Sequence, residues 1–271
     1  MKVLNGSELA GYIKERQSKT VRALRQAHKV FPKLAIVQTK DDPVINTYVR
    51  LKKSYGADIL IDVDVHNVSL DDAPSLINEL NQDTNVHGII VQLPLSDINR
   101  TDEIINLVSP EKDVDALGRN ATSEPATPMA ILWLLNGYNI ELNGKHILLI
   151  GRGKLVGGPL EKILKDSGYD VEVIGRETQD LSEHSLEADV IITATGSPAI
   201  LTPEMIKQGA VVVDAGVASE DGKPVGDLHP SVYERDDLTI TPKKGGVGPL
   251  TVCALFENVI RAAQASQADH D

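Results

Sequence analysis

Short apolar runs alternate with longer amphipathic segments along the first half of the chain. The apolar runs predict buried strands, and apolar positions spaced at the helical period predict helices between them. The predicted strands are residues 34–37, 59–63 and 88–91, and the predicted helices are residues 6–30, 43–55 and 71–81. Strands that are separated by helices pair in parallel, because a parallel crossover needs about a dozen residues or more. This half is therefore predicted to form an open α/β sheet.

A second alternating series follows a polar segment at residues 118–128 that contains Pro125 and Pro128. Its predicted strands are residues 146–150, 171–174, 189–193, 210–213 and 238–241, and its predicted helices are residues 129–135, 156–167 and 249–265. A polar, proline-containing segment between two such series is typical of a domain boundary. We therefore expect two α/β domains.

Composition and charge exclude several classes of protein. The 271 residues include 27 Lys and Arg against 39 Asp and Glu, a formal net charge of −12. This balance argues against nucleic-acid binding, which needs a basic face, although it allows one small basic pocket for a phosphorylated ligand. Cys253 is the one cysteine, so no disulfide can form within the chain. No apolar run is long enough to cross a membrane, and the first residues do not resemble a signal peptide, so we expect a cytoplasmic protein without membrane contact.

A glycine-rich loop joins the predicted strand at residues 146–150 to a predicted helix. The loop contains Gly151, Gly153 and Gly157, with the spacing Gly-x-Gly-x-x-x-Gly. A loop of this kind is either an ordinary tight turn or a place where the backbone approaches a diphosphate at a helix N-terminus. The strand–loop–helix context favours dinucleotide binding.

Three charged residues bear on which dinucleotide is bound. Glu177 lies 20 positions after Gly157, where an acidic residue would bind the ribose 2′-hydroxyl of NAD. Arg152 and Arg176 would instead pair with the 2′-phosphate of NADP. All three are also ordinary charges of a solvated loop, and the residues alone leave the choice open.

Tyr48 and Lys52 lie one helical turn apart on the same face of a predicted helix. Most such pairs face solvent. The pair is also the Tyr-x-x-x-Lys of short-chain dehydrogenases, but there the nucleotide loop precedes the pair, whereas here it follows about a hundred residues later. Gln92 ends a predicted strand, and ligands of open α/β sheets bind at the carboxyl ends of strands.

Taken together, these motifs resemble the bifunctional methylenetetrahydrofolate dehydrogenase/cyclohydrolase family. The resemblance extends from about residue 4 to residue 262 and rests on Tyr48 and Lys52 together with residues 88–95, 112–115, 126–128, 151–159, 225–227 and 245–251. The chain departs from the family pattern at Ala116-Leu117, at Gly153, at residues 175–178 and at Lys243-Lys244.

The resemblance implies a fold and a reaction. The implied fold is an N-terminal α/β catalytic domain (residues 1–120 plus 250–271) and a Rossmann-type nucleotide-binding domain (residues 121–249), with the C-terminal helix packing back on the first domain. The implied reactions are oxidation of 5,10-methylenetetrahydrofolate with NADP, with NAD as the alternative cofactor, and hydrolysis of the methenyl product to 10-formyltetrahydrofolate. A homodimer without a metal is also implied. A dehydrogenase-only relative, an unrelated two-domain NAD(P)-dependent dehydrogenase and a non-catalytic binding protein are the alternatives.

The resemblance also assigns roles to individual residues. Lys52 transfers protons in the hydrolysis and needs a lowered pKa to act as a base, because a lysine in water is protonated at pH 7. Gln92 hydrogen-bonds Lys52, Tyr48 stacks on the aminobenzoyl ring, and Asp115 accepts hydrogen bonds from the pterin. The predicted catalytic residues are Tyr48, Lys52, Gln92 and Asp115. The predicted cofactor-binding residues are Gly151, Arg152, Gly153, Lys154, Val156, Gly157, Arg176 and Thr195. The predicted substrate-binding residues are Tyr48, Gln92, Leu93, Pro94, Asp115, Gly248, Pro249 and Thr251.

Overall fold

The chain divides into two compact α/β units. The computed structural model describes residues 1–175, 178, 180–220 and 223–268. What we call the first unit consists of Gly11–Ala126 and Val252–Asp271, and the second unit consists of Met1–Ala10 and Thr127–Thr251. The predicted two-domain α/β fold is confirmed.

The first unit contains a three-stranded parallel sheet. Strand β2 (Lys33–Gln38) lies in the centre and pairs with β3 (Asp62–Asn67) and β4 (Gly88–Val91). Its helices are α1 (Gly6–Ala23, which begins in the second unit and continues as a π-helical turn at Leu24–His28), α2 (Pro43–Asp58), α3 (Ala73–Gln82) and α4 (Thr101–Ile105). Buried side chains on the sheet and on α3 and α4 form its core, among them Ala35, Val37, Ile77, Ile89, Val91 and Ile104.

One strand of this sheet differs from its prediction. Residues 59–63 were expected to be a strand, but β3 begins at Asp62. The apolar residues Ile59 and Ile61 are buried in the turn that follows α2, where Leu60 has a φ of 65° and the Ile61 N–H donates to the Gly56 carbonyl at 2.8 Å. Because this turn is buried, its residues are apolar, and the resulting apolar run resembles that of a strand.

Helix α2 carries two of the predicted site residues, and its start is defined by capping. The Asp42 carboxylate accepts hydrogen bonds from the N–H groups of Val44 and Ile45, and Pro43 occupies the first helical position. Ile45 and Val49 are buried on one side of the helix. This packing leaves Tyr48, which is 40% exposed, on another side.

The second unit contains a six-stranded parallel sheet in the order β1-β11-β8-β7-β5-β6. The strands are β1 (Lys2–Val3), β5 (Ile147–Ile150), β6 (Val171–Ile174), β7 (Val190–Thr193), β8 (Val211–Asp214) and β11 (Thr239–Ile240). The helices are α5 (Ala126–Gly137, whose first residue belongs to the first unit), α6 (Gly157–Asp166) and α7 (Leu181–Glu187), and β9 (Ala218–Glu220) pairs antiparallel with β10 (Lys223–Val225). The core includes Leu148, Ile150, Ile191, Val212, Leu228 and Ile240.

The two ends of the chain belong to different units. The sequence assigned residues 1–10 to the catalytic domain, but β1 pairs with β11 and places these residues in the second unit. This pairing satisfies backbone groups at the sheet edge, since the N–H of Lys2 donates to the Leu238 carbonyl at 2.9 Å and that of Leu4 to the Ile240 carbonyl at 2.8 Å.

Helix α8 (Val247–Ala268) begins in the second unit, and its residues from Val252 onward belong to the first. Within the first unit, Gln17 Nε2 donates to the Cys253 carbonyl at 2.8 Å, and Asn258 Nδ2 donates to the Val114 carbonyl at 2.9 Å. The predicted return of the C-terminal helix to the first domain is confirmed. Among the described residues, no helix combines the length and the apolar character needed to cross a bilayer.

Candidate active site

Lys52 and Gln92 are joined by a hydrogen bond in the first unit. Lys52 Nζ, on α2, donates to Gln92 Oε1 at 2.8 Å. Gln92 directly follows β4, and its backbone N–H donates to the Val37 carbonyl at 2.9 Å. Its amide Nε2 donates to the Leu93 carbonyl at 3.0 Å, so Oε1 faces the lysine. The contact expected from the sequence is therefore formed at the carboxyl end of a strand.

The protonation of Lys52 is perturbed in the direction that a general base needs. Burial lowers the pKa of Lys52 below the ordinary value, and the nearby Asp115 carboxylate partly opposes this shift. Burial likewise raises the pKa of Asp115, and the charge of Lys52 partly opposes that change. Lys52, Gln92 and Asp115 thus lie close enough together to interact.

Asp115 is held in place by the first residue of the Lys-Asp-Val-Asp motif. Lys112 Nζ donates to three backbone carbonyls at the C-terminal end of α3, those of Leu80 at 3.0 Å, Asn81 at 2.8 Å and Asp83 at 2.7 Å. A cation here satisfies carbonyls that the helix leaves without partners. The motif is therefore anchored to α3.

The second and third residues of the motif, Asp113 and Val114, hold the loop that contains Asp115. Asp113 accepts the N–H of Gly118 at 2.7 Å, together with a longer bond from Leu117 at 3.4 Å. Val114 is fully buried, and its carbonyl accepts from Asn258. A charged motif that reads as a surface turn in the sequence is thus a well-anchored support for Asp115.

Tyr48 and the segment after Gln92 offer surface beside this group. The Tyr48 ring is accessible for stacking, and Val44 and Leu51 on the same side of α2 are exposed by 46% and 53%. Leu93 is partly buried, Pro94 is exposed, and the peptide bond between them is cis. These apolar surfaces are of the kind that an aromatic ligand covers.

The glycine loop of the second unit packs so closely that two of its glycines cannot be replaced. A Cβ at Gly157 would lie 2.0 Å from the Gly151 carbonyl oxygen, and one at Gly151, where φ is 104°, would lie 2.6 Å from the Ala194 carbonyl oxygen. Gly153 has open space around it. Val156 provides no side-chain cap for α6. A close-packed glycine loop before an uncapped helix fits a dinucleotide diphosphate.

Arg152 of this loop pairs with a carboxylate that the sequence did not single out. Arg152 forms a two-point ion pair with Glu161, with both N–O distances 2.7 Å, and Lys165 contacts the same carboxylate at 2.8 Å. These cations lower the pKa of Glu161 to about 2. Sequence reasoning offered Arg152 to a 2′-phosphate and missed Glu161, which lies nine residues later on α6. Lys154 is exposed.

Two of the residues proposed to select the cofactor, Arg176 and Glu177, lie outside the described residues. Thr195 follows β7, and its backbone N–H donates to Asp227 at 2.8 Å. Asp227 belongs to the Val225-Gly-Asp227 motif, to which the sequence assigned no role, so the hydrogen bonds that this buried carboxylate accepts are a second omission. The Gly226-Asp227 pair was the signal in the sequence that could have indicated a role for this carboxylate.

The predicted substrate residues at the start of α8 lie in the second unit. Gly248 has open space around it, and Thr251 Oγ1 lies 3.5 Å from Thr127 Oγ1. The preceding glycines have a packing role. A Cβ at Gly245, where φ is 81°, would lie 2.5 Å from Ser7 Oγ. Pro249 is partly buried beside them.

The predicted residues therefore form two sets, one in each unit. Tyr48, Lys52, Gln92 and Asp115 are in the first. The glycine loop, Thr195 and residues 248–251 are in the second. Among the described residues, no group of three or more His, Cys, Asp or Glu side chains could hold a metal ion.

Comparison with known proteins assigns the two units. The model of the tetrahydrofolate dehydrogenase/cyclohydrolase catalytic domain matches residues 4–115, and the model of the NAD(P)-binding domain of the same family matches residues 125–267. The chain belongs to the tetrahydrofolate dehydrogenase/cyclohydrolase family. The Lys52 group thus lies in the family's catalytic domain, and the glycine loop lies in its NAD(P)-binding domain.

Individual members of the tetrahydrofolate dehydrogenase/cyclohydrolase family match along nearly their whole length. The chain is 38% identical to the bifunctional protein FolD of Cenarchaeum symbiosum, over 96% of this chain and 97% of that protein. It is similar to the crystal structure of the bifunctional FolD methylenetetrahydrofolate dehydrogenase/cyclohydrolase from Campylobacter jejuni, with a TM-score of 0.91, 35% identity and coverage of 98% and 99%. The Trypanosoma brucei enzyme, complexed with NADP and an inhibitor, has a TM-score of 0.90, 29% identity and coverage of 97% of each chain.

Proposed function

We propose that this protein oxidises 5,10-methylenetetrahydrofolate to the methenyl compound with NADP and hydrolyses that product to 10-formyltetrahydrofolate. The observation that carries the proposal is the Lys52–Gln92 hydrogen bond beside Asp115, in a chain whose other domain holds a dinucleotide loop. The family membership and the names of the relatives support both activities.

The oxidation depends on positioning. The glycine loop and the uncapped N-terminus of α6 would hold the diphosphate of NADP, which when bound would supply the hydride-accepting chemistry. The protein's own residues bind and orient the folate for this transfer. Tyr48 stacks on the aminobenzoyl ring, Asp115 accepts hydrogen bonds from the pterin donors, and Leu93 and Pro94 line the ligand.

The hydrolysis depends on proton transfer. Water attacks the methenyl carbon, the bond from that carbon to the pterin nitrogen breaks, and the formyl group stays on the aminobenzoyl nitrogen. The Lys52 amine takes one proton from the attacking water and delivers it to the departing ring nitrogen. The second proton of the water is released to solvent when the formyl C=O bond forms. The lowered pKa of Lys52 makes the neutral amine accessible, and the cationic substrate favours the same form. Gln92 aims the amine.

A dehydrogenase-only protein is the second candidate. The intact Lys52–Gln92 pair argues against it, because hydride transfer does not need an oriented lysine base.

One assay tests both candidates. The protein is incubated with methylenetetrahydrofolate and either NADP or NAD, and the methenyl absorbance is followed. We expect NADP-dependent formation, and decay of added methenyl compound without dinucleotide. Decay of the methenyl compound at only the uncatalysed rate would contradict the cyclohydrolase activity. Absence of methenyl formation with either dinucleotide would contradict the dehydrogenase activity.

We also propose that the protein is a cytoplasmic homodimer that contacts neither nucleic acid nor membrane. The family resemblance supports the dimer, and the net charge of −12 supports the absence of nucleic-acid binding. Sedimentation equilibrium and cell fractionation are the corresponding measurements. A monomeric mass or a membrane-bound fraction would contradict this proposal.

A further inference from the structure

A buried carboxylate organises the turn that follows β7. Asp227 is fully buried, and it accepts the backbone N–H of Thr195 at 2.8 Å through Oδ2 and that of Ser197 at 3.1 Å through Oδ1. Gly196, between them, has a φ of 64°. One side chain thus fixes both ends of a three-residue turn at the carboxyl end of a central strand.

A second carboxylate fixes the first. Asp214, at the end of β8, accepts the backbone N–H groups of Asp227 at 3.1 Å and Leu228 at 3.3 Å. It also accepts the Thr193 hydroxyl at 3.2 Å and the Gly216 N–H at 3.0 Å. Asp214 therefore links the last residue of β7 to the backbone of Asp227.

Two glycines make room for these carboxylates. A Cβ at Gly216 would lie 2.0 Å from Asp227 Oδ1, and a Cβ at Gly226 would lie 2.0 Å from Asp214 Oδ2. Neither glycine has a positive φ among the described residues, so space rather than backbone conformation excludes a side chain at these positions. The pattern Gly216…Gly226-Asp227 is thus a single packed arrangement.

Two adjacent carboxylates, Asp227 fully buried and Asp214 partly buried, are expensive to maintain, since burial of charge needs complete hydrogen bonding and neighbouring anions repel. A purely structural turn could be satisfied by neutral groups. The turn lies beside the dinucleotide loop. The Ala194 carbonyl leaves no room for a side chain at Gly151, and the last residues of β5 and β7, Ile150 and Thr193, are in register. Ligands of such sheets bind at this edge.

We propose that Asp227, held by Asp214, is a positioning residue that shapes the Thr195–Ser197 turn to receive the dinucleotide. Asp227 acts through the turn and does not itself touch the cofactor. The inference rests on the proposed function, which places NADP at this edge of the sheet.

The test is Asp227→Asn, read by the dissociation constant for NADPH from its fluorescence. An asparagine offers one oxygen, so its NH₂ group must face the N–H of either Thr195 or Ser197. We expect NADPH binding to weaken about ten- to a hundredfold, from the loss of one hydrogen bond to a charged acceptor. The KM for NADP should rise with little change in kcat. Methenyl hydrolysis, which uses no dinucleotide, should keep its rate.

The matched control is Asp189→Asn. Asp189 also accepts a backbone N–H, that of His146 at 3.1 Å, but immediately before β7, at the opposite end of that strand from the turn. This variant should bind NADPH as the wild type does. Unchanged NADPH affinity in folded Asp227→Asn would overturn the proposal, as would a parallel loss of methenyl hydrolysis, which would indicate a general structural role.

If Asp227→Asn does not fold, Thr193→Val makes a milder change, since it removes only the hydroxyl that Asp214 accepts. A several-fold weaker NADPH affinity with intact hydrolysis would support the proposal, and unchanged affinity would overturn it. Because NADPH binding is measured directly, an inactive wild-type protein that still binds NADPH would refute the proposed function while leaving this inference testable.

Discussion

Replacement of Lys52 by methionine is expected to abolish methenyltetrahydrofolate hydrolysis while NADPH binding persists. Methionine keeps the length and apolar character of the side chain but removes the amine that donates to Gln92 Oε1 at 2.8 Å. A positioned general base contributes about 10²- to 10⁴-fold to a rate, which corresponds to about 3–5 kcal/mol of transition-state stabilisation. We expect a loss of at least this size, because the same amine serves both proton transfers.

Stability should change much less than activity. The variant loses a charge-assisted hydrogen bond of about 1.5–3 kcal/mol and leaves the Gln92 oxygen without this donor. It also removes the cost of burying an ammonium group, which is of similar size and opposite sign. The two effects largely cancel, so the free energy of unfolding should stay within about 2 kcal/mol of the wild-type value.

The pH dependence of stability gives an independent check. The pKa of Lys52 is lower in the folded protein than in the unfolded chain, so the unfolded chain binds the proton more tightly. Wild-type stability should therefore rise as the pH increases from the folded pKa toward the ordinary value of 10.5. The methionine variant should lack this rise, and its stability relative to the wild type should be greatest below that interval.

The assay follows the decay of methenyl absorbance in the absence of dinucleotide, with NADPH affinity measured on the same samples. Lys53→Met is the control, because Lys53 is the exposed neighbour of Lys52 on α2. If the Lys52→Met variant hydrolyses the methenyl compound at the wild-type rate, Lys52 takes no part in the mechanism. Loss of hydrolysis in both variants would attribute the effect to the helix rather than to the amine.

Three further predictions follow from the same contacts. Asp115→Asn should weaken folate binding about ten- to a hundredfold and move the pH profile of hydrolysis to lower pH, because Asp115 raises the pKa of Lys52; unchanged affinity and profile would contradict this. Gly157→Ala should abolish NADPH binding, because its Cβ would meet backbone 2.0 Å away, whereas Gly153→Ala has open space and should fold normally; equal NADPH affinities in titrations of the two variants would refute the packing argument. Glu161 has a folded-state pKa of about 2 against an ordinary 4.5, so its stabilising contribution should be complete above pH 4.5 and lost as the pH falls through about 2. The Glu161→Gln variant should not show this loss of stability in acid, and identical acid-unfolding curves for the variant and the wild type would contradict the prediction.

Local patterns in the sequence determined most of the elements and one contact of the candidate site. The apolar run at residues 88–91 is a strand with those bounds, because a strand buried on both faces needs an unbroken apolar run. Residues 171–174 also form a strand with the predicted bounds, at the edge of the other sheet. The Lys52–Gln92 contact was also predictable, since a helix after one parallel strand and the end of another strand meet at the same sheet edge. In these cases, neighbours in sequence or one simple topological rule decide the contact.

Tertiary structure decided the rest, because the deciding partners lie in different elements of the fold. Residues 1–10 belong to the second unit only because β1 finds β11, more than 230 residues later. The guanidinium of Arg152, in the loop, is paired with Glu161, nine residues later on α6. Asp227 reads as a loop carboxylate until the Thr195 turn is placed against it. Charged side chains carry no periodic signal of burial, so their partners emerge only when the backbone brings them together.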